Sequence, residues 1–371
     1  MSQTPRPWAI LLKATLLFLL FDLAFAAFPS ALGRFSLYNR FFPGRPRFPF
    51  GENILEAHNL SIGDLDALFA AHLLDGTPKS SQEFRILVLG DSSIWGTLLR
   101  PEETRTTHWN SAGLTCGDKT LRFYNLGYPT LSLTKDLLIL ETARRYRPDA
   151  LIWFVTLESL AADTQLDSPL IQSNAQALRA LIESYHLPLD QAKLSVPTFW
   201  QRTLIAQRRA LADWARLQLL GVIWAATGVD QAYPPHYTPA QRDFSEDVRF
   251  HDWQGPVLPT DALTWDLLRA GIEQIAPPRL LLVNEPILIA SGKNSHLRYN
   301  FYYPRWAYDE YRTLLHDFVT VHELPFVDAW DWIPDAEFTN SAIHLSPHAE
   351  AEFAQRLIPS LLEALCTPFA K

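Results

Sequence analysis

From Glu83 onward the chain alternates short apolar runs with longer amphipathic ones. Strand-like runs fall at Arg85–Gly90, Arg122–Leu126, Ala150–Thr156, Arg279–Asn284 and Pro325–Asp328. Helical periodicity marks Thr134–Tyr146, Tyr308–Val321 and Ala349–Leu365. Strands that are apolar along nearly their whole length are buried on both faces. The pattern therefore predicts a parallel sheet with helices on either side. Between Ala161 and Pro278 the alternation stops, and an insertion of roughly 161–278 carries helical patterns ("QALRALIESY", "TLIAQRRALADWARLQLLGVIWAATG") and then a Pro-rich aromatic stretch. Within it, Leu217 to Ala226 is apolar enough to dip into a membrane or form a lid but too short to span. A core helix of the insertion is the simpler expectation.

The N-terminal pattern differs. "ATLLFLLFDLAFAAFPSAL", Ala14 to Leu32, is nearly all apolar apart from Asp22 and Pro29. Its length suits a bilayer core, so residues 1–32 are expected to be a membrane segment. A cleaved signal peptide is the alternative, because Ala24-Phe25-Ala26 offers small residues after a basic start. A buried or interfacial helix is the third, since Asp22 at mid-bilayer would cost roughly 2.5–3.5 kcal/mol. Residues 33–82 are polar and rich in Pro and Gly, a linker packing onto the domain with a short helix around Leu65–Leu74. Residues 83–371 then form the α/β domain with its helical insertion.

Composition narrows the function. The 371 residues suffice for one large α/β domain with an elaboration. A balance of 32 basic to 40 acidic residues gives −8, and no basic run appears, which argues against a nucleic-acid partner. Cys116 and Cys366 match neither a zinc spacing nor a disulfide framework. Two inert thiols are expected, with a single disulfide as the alternative.

In an open parallel sheet, reactive groups collect beyond the carboxyl ends of the strands. After the first strand, in "EFRILVLGDSSIWG", comes Gly90-Asp91-Ser92. It reads either as a tight turn holding a nucleophilic Ser92 or as an ordinary helix cap. After the second strand, "NLGYPT" places Gly127 where its N–H can face a ligand. Near the C-terminus, "IHLSPHA" puts His344 just before a helix start at Ser346-Pro347, within reach of a strand-end serine. His344 and His348 make no metal site, for no third ligand is nearby.

These three signals, in this order and each at a strand end, resemble the SGNH/GDSL hydrolase family. "LGDSS" is similar to its first block, with Ser92 as nucleophile. "NLGYPT" is similar to the second, with Gly127 as a backbone oxyanion donor. "IHLSPHA" is similar to the last, with His344 as base. The resemblance covers roughly residues 84–160 and 279–365. It implies a flavodoxin-like three-layer α/β/α fold and ester hydrolysis or acyl transfer without a cofactor. A membrane segment ahead of such a domain also resembles extracytoplasmic acyltransfer proteins of cell-envelope glycan modification, so an acyl ester or glycan substrate is implied. An outside location rests on that resemblance alone. Arg6 and Lys13 precede the apolar run while Arg34, Arg40, Arg45 and Arg47 follow it, and this count does not favour it.

Two positions depart from the family pattern. The oxyanion-hole Asn of the third block falls on Glu158, where an ionised carboxylate would repel the oxyanion and only a protonated one could donate. Alternatively, Glu158 faces away, pairing with an arginine such as Arg298. The Asp expected three residues before the base is Ser341. Asn340 could still hold the imidazole tautomer, and Asp328 and Asp335, nearby in sequence, are the alternative orienting acids. Asn284, Glu285 and Arg298, at the fourth strand's end and on the loop beyond, are candidate substrate contacts, with an ordered aromatic loop as the plainer expectation. Both departures favour a rival reading: a non-catalytic binding or assembly module that has kept the fold.

Overall fold

The computed structural model describes residues 6–27, 37, 44–50, 63–229 and 236–367. In chain order the strands are β1 (Glu83–Leu89), β2 (Thr115–Cys116), β3 (Lys119–Asn125), β4 (Ala150–Val155), β5 (Arg279–Asn284) and β6 (Phe326–Asp328). The longer helices are α1 (Pro7–Ala27), α2 (Arg105–Ser111), α3 (Leu133–Ala143), α4 (Ala175–Tyr185), α5 (Arg208–Thr227), α6 (Arg305–Val321) and α7 (Pro347–Cys366).

The sheet runs β2-β3-β1-β4-β5-β6. All pairings are parallel except β2–β3, a short antiparallel edge. Counting only the parallel strands, the first lies between the second and third, the flavodoxin-like order. Register brings the carboxyl ends together, because Leu89 pairs with Trp153, Val155 with Asn284, and Asn284 with Asp328.

Period-2 alternation divides the sheet between two cores. Leu87, Leu89, Leu151, Trp153, Leu280 and Leu282 pack against α3, α4 and α6. Ile86, Val88, Phe123, Ile152, Phe154 and Val283 pack against Trp109 of α2 and the apolar stripe of α7. The fold is the three-layer α/β/α arrangement. Buried ties hold α2 to α7: Arg105 forks onto Glu350 at 2.6 and 2.8 Å, and the Trp109 Nε1–H donates to the Ala354 carbonyl. Across the sheet's edge, Cys116 of β2 is disulfide-bonded to Cys366 at the end of α7. This corrects the expectation of two inert thiols.

The insertion leaves and returns at one place: Ala162 N–H donates to the Ala262 carbonyl and Thr264 N–H to the Leu160 carbonyl. Its helix α4 joins the sheet core through Leu178, Leu181 and Ile182. Helix α5 does not, since Leu217 and Trp224 form a separate small cluster with Leu220 and Val229. The helix expected around Leu65–Leu74 is interrupted at His72, whose backbone bridges to Arg45. At the N-terminus, α1 is the one helix among the described residues long and apolar enough to cross a membrane. Residues 28–32 of the expected span lie outside the described residues.

Candidate active site

β1 runs into a turn that cannot widen. A Cβ on Gly90 would collide with Ile94, so only glycine admits the close fold-back. Asp91 then caps the short helix Ser92–Trp95, its Oδ1 accepting from Ser93 N–H at 2.7 Å. The two sequence readings of this turn hold together: Asp91 is the cap, and Ser92, partly exposed, projects from the first turn. The turn after β3 is packed directly upon it. A Cβ on Gly127 would run into the backbone N of Trp95, and Asn125 Nδ2 donates to the Ile94 carbonyl at 2.6 Å. Buried Lys135 ties both turns together, its Nζ donating to the carbonyls of Gly90 at 2.7 Å and Tyr128 at 3.4 Å.

From the far end of the chain, the loop Phe338–Ser346 folds on itself and carries His344 to this point. Thr339 N–H donates to the His344 carbonyl, and Ser346 caps α7 through Ala349 N–H. His344 Nε2 lies 2.7 Å from Ser92 Oγ, and His344 Nδ1 lies 2.7 Å from Asn340 Oδ1. An amide oxygen only accepts, so with the side chain oriented this way Nδ1 carries the proton. Nε2 is then left to accept from the Ser92 hydroxyl. Burial holds the His344 pKa down to about 4, with the nearby Asp91 charge acting in the opposite direction. At neutral pH the imidazole is an uncharged base. Asp328 is engaged with Arg312 and His316, and Asp335 accepts from Ser291, so neither replaces the missing orienting acid. Ser341 instead meets the hydroxyl of Tyr302.

The oxyanion side is less open than the sequence implies. Gly127 N–H donates to Asn125 Oδ1 at 3.0 Å, so the donor assigned to Gly127 is already engaged. Glu158 pairs neither with Arg298 nor with the Ser92 hydroxyl. Its Oε2 lies 3.0 Å from His251 Nε2, and His251 Nδ1 lies 2.8 Å from Asp163 Oδ2. The two carboxylates, Glu158 foremost, lift the His251 pKa to about 9 against the opposing effect of burial. The arrangement is a carboxylate–imidazolium–carboxylate chain at the mouth of the insertion. Sequence reasoning missed His251, and no periodicity or spacing points to it.

The proposed substrate contacts are corrected. Asn284 is fully buried, bonded to Tyr308, Tyr311 and Asp328, and ties β5 to β6 and α6. Arg298 spends its guanidinium on the carbonyls of Asp247, Arg249, Asn300, Phe301 and Tyr302, knitting loop to insertion. Glu285 lies buried behind the Ser92 turn, accepting from Ser93 Oγ at 2.5 Å. Burial, and then the Asp91 carboxylate, push its carboxyl well above the usual range. Through Ser93 it braces the turn. Among the described residues, no cluster of three His, Cys, Asp or Glu could hold a metal ion.

No family model matches the chain, and no curated protein matches it. Among solved structures it is similar to a carbohydrate acetylesterase family member from Sinorhizobium meliloti, at 13% identity and a TM-score of 0.34 over 76% of this chain and 100% of that one. It is similar to the M. smegmatis aryl esterase at 13% identity and a TM-score of 0.35, covering 76% and 99% of the two chains. A catalytic mutant of an acetylxylan esterase from Geobacillus stearothermophilus gives 12% and 0.32, over 80% and 99%. Likenesses this distant carry no argument about activity. The site's own geometry has to carry it.

Proposed function

We propose that the chain is a membrane-anchored serine esterase or O-acyltransferase working through an acyl-Ser92 intermediate. The observation that carries this reading is the 2.7 Å contact between Ser92 Oγ and a neutral, Nδ1-protonated His344. In the first half-reaction, the Ser92 hydroxyl gives its proton to His344 Nε2 as Oγ attacks the ester carbonyl. The imidazolium returns that proton to the departing alkoxide, leaving Ser92 acylated. In the second, water or a sugar hydroxyl loses its proton to His344 Nε2 as its oxygen attacks the acyl carbonyl, and the imidazolium returns that proton to Ser92 Oγ as the acyl–Oγ bond breaks. Ser92 N–H supports the oxyanion, and Gly127 N–H joins when it exchanges Asn125 Oδ1 for that oxygen. The substrate class is an acyl ester such as envelope glycans carry, met by an extracytoplasmic domain behind the α1 anchor.

Two observations favour the rival, a non-catalytic module: the Gly127 N–H is engaged, and Glu158 stands where the family's amide donor would be. We prefer the enzyme because a binding surface has no need of a buried imidazole poised on a serine. Hydrolysis of a short-chain p-nitrophenyl ester tests the choice. Ser92→Ala and His344→Ala should each lower kcat by on the order of 10³-fold or more. Equal rates in wild type and Ser92→Ala would remove Ser92 from the mechanism.

A further inference from the structure

Eight large apolar residues outside α1 are exposed among the described residues, and four of them fall within 200–223: Trp200 (70%), Ile205 (50%), Leu219 (70%) and Ile223 (58%). Leu219 and Ile223 are four apart and share one face of α5. That helix contributes nothing to either sheet core and buries only its opposite side, in a cluster of its own. Three contacts tie this part of the insertion to the N-terminal helix or to the chain just beyond it. Asp22, the acid within α1's apolar length, is buried there, its Oδ1 accepting from Ile205 N–H at 3.0 Å. Leu37 N–H, beyond α1, donates to Gln218 Oε1 on α5 at 2.8 Å. The turn Trp200–Arg202 packs directly on α1.

We propose that residues 199–223 are a membrane-docking element that lies in the interface of the same bilayer that α1 enters. The inference rests on the anchor reading above and extends it to a second, non-spanning contact. Its occupant is lipid, because the patch is continuous with α1 at the level of Asp22, five residues short of that helix's end. A segment fixed there to the anchor's flank sits at the depth of the headgroup–acyl boundary. The Asp22–Ile205 bond also supplies a partner for an acid that would otherwise face hydrocarbon. Exposed Arg202, Arg208 and Arg209 border the apolar residues, the arrangement by which interfacial helices meet anionic headgroups while their apolar side chains enter the acyl region.

Site-directed spin labelling of the full chain tests this. The native cysteines are paired with each other, so a single introduced cysteine carries the label. Leu219→Cys and Ile223→Cys would be compared with Leu17→Cys in α1 and with Val321→Cys as an aqueous reference, in phosphatidylethanolamine–phosphatidylglycerol vesicles. The expected result is a several-fold higher ratio of oxygen to nickel-chelate accessibility at 219 and 223 than at 321. Water-like ratios at 219 and 223 beside a lipid-like ratio at 17 would overturn the docking element and leave the anchor standing. Shielding of 219 and 223 from both reagents would overturn it in favour of a protein contact such as a second copy. A water-like ratio at 17 would overturn the anchor reading instead, with 219 and 223 still deciding whether the insertion meets lipid.

Discussion

In the proposed mechanism, His344 is a base without an acid behind it. Its Nδ1 is held by an amide, so the imidazolium formed during attack gains no full charge partner, and burial keeps its pKa near 4. Two consequences follow. The folded pKa lies below the unfolded value near 6.5, so this group's contribution to stability diminishes as pH falls from about 6.5 to about 4. The base also remains unprotonated, and activity should persist, well below pH 6. Asn340→Asp would put a carboxylate on Nδ1 and should raise the acid limb of the kcat/KM profile by on the order of one pH unit or more. An unmoved limb would mean that His344 is not the titrating base. Glu158 behaves differently, because His251 already neutralises it. Glu158→Asn should change kcat by less than about threefold, while NMR titration should show His251 falling from about 9 toward its ordinary value. A large gain in rate would instead mean that the acid opposes the oxyanion directly. Ser92, His344 and Asn340 were legible because each sits beside a strand end or helix start that the sequence marks. His251 was not, since it reaches Glu158 from 93 residues away through an insertion without a readable period.

The two turns after β1 and β3 act as one unit. Gly127 presses on the backbone of Ile94 and Trp95, Asn125 holds the Ile94 carbonyl, and Lys135 spans both turns. A methyl group at Gly127 has nowhere to go. Gly127→Ala should therefore destabilise the fold by about 1–3 kcal/mol, read as a lower midpoint in urea denaturation, and should lower ester turnover through displacement of Ser92. Unchanged stability would contradict the packing described. The strands were legible because apolar runs bounded by Gly, Asn and Asp have one reading in an alternating pattern; β5 falls where the sequence puts it, at Arg279–Asn284. The edge strand β2 was not, being two residues long and partly exposed. The broken helix near His72 depends on a bridge to Arg45, a tertiary contact that periodicity does not carry.

For the whole molecule, the last helix is decisive, because it brings the base from residue 344 to a serine at 92. α7 is fixed at its start by Arg105–Glu350 and at its end by the Cys116–Cys366 disulfide, which closes a separation of 250 residues. The disulfide was not legible from two unremarkable cysteines; it follows from β2 and the end of α7 meeting at one sheet edge. Without reductant, the unfolded wild type should yield no free thiol, and replacing both cysteines by serine should cost about 2–5 kcal/mol in unfolding free energy. Two free thiols in the unreduced protein would contradict the pairing. The most direct test of the central claim is the reaction of the protein with a fluorophosphonate, followed by peptide mass mapping, because it reports an activated serine without knowledge of the substrate. The expected result is one phosphonyl adduct on the peptide containing Ser92, absent from Ser92→Ala and strongly slowed in His344→Ala. A wild-type protein that does not react, or an adduct that survives in Ser92→Ala, would contradict the account.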